Sequence, residues 1–126
     1  MALNVLVVDD NRIMREMVAK AVAMSGLDLG RIDQAGNGQE ALFKLGAGGI
    51  GLVMLDINMP VMNGEQLLAA VRSSPKLSNV IVVVVSTESS LPRIERLKGM
   101  GAGFVHKPFK AEHLVAEVRR LQAGTP

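Results

Sequence analysis

The chain has 126 residues, 48% of them hydrophobic, which suits one packed domain spanning residues 1–126 and argues against wholesale disorder. Zero cysteines exclude disulfides, thiolate metal sites and a cysteine nucleophile. The net charge of +2 makes no electrostatic case for nucleic acid, and the pI of 9.3 overstates the basicity, since without Cys or Tyr little titrates between His and Lys.

Apolar runs alternate with helical patterns along the chain. Residues 4–8 read as a strand, and Asn11 can cap a helix carrying Ile13, Met17 and Ala21 on one face, with Gly26 near its stop. Residues 31–35 form a weaker strand, followed by a helix over 37–45 with Ala41, Leu42 and Leu45 inward. A third strand covers 52–56, and a third helix covers 65–72 with Leu67, Leu68 and Val71 inward. The β-branched run 80–85 reads as a buried parallel strand. Pro92 suits the first turn of a fourth helix carrying Ile94 and Leu97. A short fifth strand spans 103–106, and a closing helix spans 111–121 with Leu114, Val118 and Leu121 aligned.

Five strands alternating with five helices imply a doubly wound parallel sheet with helices on both faces. Right-handed crossovers favour the flavodoxin-like order 2-1-3-4-5, whose switch point lies between the first and third strands. The tail at 123–126 is too short for a second domain. The aliphatic run 80–85 is far short of the roughly 18 residues a membrane span needs. No basic segment precedes an apolar one at the N-terminus, so a cytoplasmic protein is expected.

Asp9 and Asp10 end the first strand, and Asp56 ends the third. Three crowded carboxylates raise one another's pKa unless a cation joins them, and oxygen-only ligands suit a Mg²⁺-class ion. Capping of the first helix by Asp9 and Asp10 is the plainer alternative. Ser86 and Thr87 follow the fourth strand, and Lys107 follows the fifth, where a cis bond to Pro108 would aim its amine at the site. Carboxylate, metal, hydroxyl and lysine form a set suited to receiving a phosphoryl group. A solvated lysine, a helix-capping serine and an ordinary core Phe104 are the competing readings.

Val8-Asp9-Asp10, the stretch Leu55-Asp56-Ile57-Asn58-Met59-Pro60-Val61-Met62-Asn63-Gly64, Ser86 and Lys107-Pro108-Phe109 resemble a response-regulator receiver domain of two-component signalling, across essentially the whole chain. The resemblance implies that Asp56 accepts phosphate from a histidine kinase. It implies that Asp10, Asp56 and the Asn58 carbonyl hold Mg²⁺, with Asp9 assisting through water. Ser86 and Lys107 would contact the phosphoryl group, and Phe104 would be the switch aromatic. Asn58 and Glu88 would tune the lifetime of the phosphoaspartate. The output surface would be the fourth helix, fifth strand and fifth helix, with Ile94 and Phe104 on it, meeting a downstream protein.

Asn58, Glu88 and the loop at 44–49 are similar to the stand-alone, CheY-like type, which implies a chemotaxis role; a phosphorelay intermediate is the alternative. A monomer is expected, binding neither nucleic acid nor membrane and catalysing only its own phosphorylation and dephosphorylation. The rival from another class is an aspartyl-nucleophile phosphohydrolase, but Asn58 stands where such enzymes carry a proton-donating Asp. A flavin carrier would want aromatic residues to flank its ring, and only 2% of this chain is aromatic.

Other signals carry less. Residues 46–51 match G-x-G-x-x-G but follow a helix and open a strand, the wrong context for a dinucleotide site. His106 and His113 read as structural or solvated, and the methionines as core filler. Arg93, Arg96 and Lys98 on the fourth helix read as a solvated face that could also meet an acidic partner.

Overall fold

A computed structural model describes residues 2–57, 62–87 and 90–123. In chain order the elements are β1 (Leu3–Val8), α1 (Arg12–Ala23), β2 (Leu29–Ala35), α2 (Gly38–Gly46), β3 (Ile50–Leu55), α3 (Gly64–Ser73), β4 (Ile81–Ser86), α4 (Leu91–Gly99), β5 (Gly103–His106) and α5 (Ala111–Ala123). The five strands are parallel and ordered β2-β1-β3-β4-β5, as the alternating pattern predicts. Parallel strands need crossover helices, and these cover both faces of the sheet.

Because strand side chains alternate, each strand feeds two cores. Val5 and Val7, Leu52 and Met54, and Val83 and Val85 pack with Val18 and Val22 of α1 and Leu114 and Val118 of α5. Leu6 and Val8, Val53 and Leu55, and Val82 and Val84 face the other way. There they meet Ala41 and Leu45 of α2, Leu67, Leu68 and Val71 of α3, and Leu97 of α4.

The helix starts follow local chemistry. Asn11, Asn37 and Asn63 each cap a helix, their side-chain oxygens accepting the backbone N–H of Met14, Glu40 and Gln66. At Asn63 the cap is reciprocal, since the Gln66 side chain accepts the Asn63 N–H at 2.9 Å.

The face expected of the first helix needs correction. Ile13 and Met17 are 69% and 59% exposed, and Val18 and Val22 are the buried pair. This helix carries two overlapping apolar rows at i, i+4 spacing, and periodicity alone does not rank them. The β-branched pair packs on Val5 and Val7, while Met17 is left lining a groove with Met14, Ala21, Pro108 and Phe109. The methionines divide similarly: Met54 is core and Met62 and Met100 pack against core, but Met17 and Met24 are exposed.

Candidate functional site

Strand register builds the site. Val8 pairs with Leu55, and Leu55 with Val84, so β1, β3 and β4 end close to one level. The chain leaves β3 at Asp56, whose N–H donates to the Val8 carbonyl at 3.0 Å. That bond seats Asp56 beside Asp9 and Asp10. Carboxylate oxygens of the three lie within 4.8 Å of one another. Asp9 is buried, Asp56 half-buried and Asp10 exposed.

The donor set is oxygen-only, as hard cations require. Oxygens gathered within 4.8 Å of one another can be shared by one such ion. The residues fit a Mg²⁺-class ion.

Asp9 is held from several sides. One carboxylate oxygen accepts the Asn11 N–H at 2.9 Å, and the other lies 3.7 Å from the Lys107 ammonium. Its backbone carbonyl accepts from Arg15, which also donates to the Gln34 side chain. Burial pushes its pKa above the usual carboxylate range, and neighbouring Asp10 adds to this, against the Asn11 N–H and Lys107, which pull it down. The side-chain cap of α1 is Asn11, which accepts the Met14 N–H, rather than Asp9 or Asp10.

Ser86 is the last residue of β4 and is 1% exposed, whereas Thr87 is exposed. The Ser86 carbonyl accepts the Lys107 N–H at 2.8 Å, which fixes the backbone of Lys107 to the end of β4. The Lys107–Pro108 peptide is cis. Phe104 of β5 is half-buried against the α3/α4 core, its ring 6.4 Å from that of His106. Its N–H donates to Glu117 at 3.0 Å, which covers part of the outer edge of the sheet. Ile94 is half-buried on α4. The structure thus brings Asp9, Asp10 and Asp56 together and joins Lys107 to Asp9 and to Ser86. Asn58 and Glu88 lie outside the described residues.

Three residues have roles that the sequence reading does not assign. Arg15 braces the Asp9 backbone, a contact set by β2 packing rather than by any local motif. Gly64 has a local reason that the motif string conceals. A Cβ there would stand 2.5 Å from the Ile57 Cα and 2.8 Å from the Asp56 carbonyl oxygen. Glu65, the next residue, gathers Arg93 and Arg96 at 2.6 and 3.1 Å. Those two arginines are therefore not simply a solvated face; their acidic partner is in the same chain.

Residues 5–119 match the family described as response regulator receiver domain. The chain belongs to that family and is a two-component response regulator receiver. Among its relatives, the two-component response regulator ARR5 of Arabidopsis thaliana is 34% identical over 95% of this chain and 68% of its own length. The response regulator protein FleR of Pseudomonas aeruginosa is 31% identical over 98% of the chain, which spans only 25% of FleR. The chemotaxis response regulator CheY4 of Vibrio cholerae superposes with a TM-score of 0.81 at 31% identity, covering 96% of this chain and 99% of that one.

Proposed function

We propose that this chain is a phosphorylation-driven binding switch of chemotaxis type, acting in the cytoplasm. Asp56 would take a phosphoryl group from the phosphohistidine of a histidine kinase. A carboxylate oxygen attacks phosphorus, the P–N bond to the donor imidazole breaks, and the imidazole keeps the electron pair and takes a proton from solvent. Asp10, Asp56 and the Asn58 carbonyl would hold Mg²⁺, with Asp9 assisting through water. The ion would neutralise charge on the carboxylates and the incoming phosphoryl oxygens.

The observation that carries this reading is the meeting of three carboxylates with Lys107 at one edge of the sheet, past the ends of β1, β3 and β5. Lys107 stands ready to exchange its contact with Asp9 for one with the phosphoryl group. Ser86, buried at the end of β4, would donate its hydroxyl to a phosphoryl oxygen. The modification adds roughly −1.5 to −2 charge beside it, a differential contact able to favour one of two packings. Phe104, already against the core, would move into space that Ser86 vacates, and the α4-β5-α5 surface would change for a downstream protein. The chain would act on no substrate but its own phosphoryl group.

The chemotaxis assignment is supported by likeness to CheY4 over nearly that protein's full length. A phosphorelay intermediate is the alternative output.

Incubation with acetyl phosphate and Mg²⁺, followed by intact-mass measurement, tests the core of the proposal. One phosphoryl group on the native chain and none on Asp56→Asn is the expected result. Labelling that persists in Asp56→Asn would overturn the acceptor assignment. Repeated turnover of small phosphomonoesters would favour a phosphohydrolase instead.

A further inference from the structure

The attachment of α4 rests on few buried apolar residues and on ion pairs. Only Leu97 is fully buried, Ile94 is half-buried, and the first turn carries Arg93 rather than an acid. A cation at a helix N-terminus opposes the helix dipole, so Arg93 needs a counter-charge from elsewhere. Glu65 supplies it from the first turn of α3, where an acid is itself favoured. Arg93 and Glu65 are only about a quarter exposed, and Arg96 joins the same carboxylate. Arg96 and then Arg93 hold the Glu65 pKa below the usual range.

The other end of α3 holds the other end of α4. Arg72, in the last turn of α3, donates to the carbonyl of Met100 at 2.8 Å and of Gly101 at 3.3 Å, just past α4. It also donates to Val80 at 2.8 Å and Ser78 at 3.4 Å ahead of β4. The two ends differ in kind. Arg72 is half-buried, and its bonds to the Met100 and Val80 carbonyls are part-buried, so its release would strand those two. Arg96 is 58% exposed, so water can replace its share of the Glu65 contact.

The Glu65 end is also the one wired to Asp56. Gly64 donates its N–H to the Ile57 carbonyl at 3.1 Å and sits too close to Ile57 and Asp56 to admit a Cβ. A displacement of the Asp56–Ile57 backbone is therefore passed to Glu65 with little slack.

We propose that α3 clamps α4 at both ends, and that the Glu65 contact with Arg93 and Arg96 is the releasable end. Its strength sets how readily α4 pivots, about its Arg72-held C-terminus, in response to chemistry at Asp56. The regulatory half of this proposal rests on Asp56 being the phosphoryl acceptor; the clamp itself does not.

The test uses Glu65→Gln, an Arg93→Gln/Arg96→Gln pair and the combined triple variant. In the unmodified protein, amide hydrogen exchange across α4 is expected to quicken about two- to fivefold in Glu65→Gln, the range of a partly exposed ion pair, with β1 and α5 unchanged. The triple variant should change no more than the pair variant, because Glu65 has already lost both its arginine partners in the pair variant. Unchanged exchange in α4, or additive effects, overturns the clamp.

In a second arm, beryllofluoride with Mg²⁺ stands in for the phosphoryl group. Its midpoint for shifting α4 resonances should fall two- to fivefold in Glu65→Gln. A midpoint equal to that of a responsive native chain overturns the regulatory role. A native chain that gives no response at all counts against Asp56 as the acceptor, while the exchange arm still decides the clamp.

Discussion

Replacing Gly64 with Ala tests how tightly α3 is seated on the segment that carries Asp56. The new Cβ would stand 2.5 Å from the Ile57 Cα and 2.8 Å from the Asp56 carbonyl oxygen. Ordinary carbon contacts lie at about 3.5–4.0 Å, so backbone must move by about 1 Å. Both nearest atoms are main chain, and neither can swing aside as a flexible side chain would. Overpacking of this kind costs about 1–3 kcal/mol, against a helix-propensity gain of at most about 1 kcal/mol. A net loss of about 1–2 kcal/mol is expected.

Gly46→Ala is the control, because Gly46 ends α2 with open space where its Cβ would go. It should be neutral or gain a few tenths of a kcal/mol. Urea unfolding at a slope of about 2 kcal/mol/M should place the Gly64→Ala midpoint roughly 0.5–1 M below native, with Gly46→Ala at or above it. Labelling of Asp56 by acetyl phosphate should slow about tenfold or more, since a shift near 1 Å in a reacting group is costly. Equal stability of the two alanine variants would refute the close-seating argument.

Two pH effects follow from the ionisable groups. The Asp9 pKa is raised by burial, so the folded state holds that proton more tightly than the unfolded chain. The associated stability is present below the ordinary carboxylate pKa and is lost as pH rises through the raised value. In metal-free urea titrations Asp9→Asn should therefore gain on the native protein between about pH 3 and pH 7; a constant difference would contradict this. Glu117 is the opposite case, its pKa lowered first by Arg120 and also by the Phe104 N–H. Its contribution exists above the ordinary carboxylate pKa and fades as pH falls through the lowered one. Glu117→Gln should cost about 0.5–1 kcal/mol near neutral pH, discounted for partial exposure, and progressively less as pH falls below the ordinary carboxylate range.

Much of this protein was legible in the residue order because the signals were local. A β-branched run such as 81–85 can be buried on both faces only as an interior strand, and asparagines ahead of apolar periodicity mark helix starts. Strand ends followed from those runs, so the meeting of Asp9, Asp10 and Asp56 followed from the sheet order. The unseen capping box at Asn63 and Gln66 was equally local and could have been read from its spacing.

Tertiary structure alone decided choices between equivalent local patterns and between distant partners. Two apolar rows on α1 were both possible, and packing on Val5 and Val7 selected Val18 and Val22. Arg93 and Arg96 lie far along the chain from Glu65, and no periodicity links them. Arg72 meets the carbonyls of Met100 and Gly101 only because α3 and α4 lie side by side on one face. Backbone carbonyls leave no trace in the sequence, so such contacts are invisible until the chain has folded. The positions of the carboxylates were thus written in the order of residues, whereas the ties between that cluster and α4 exist only in three dimensions.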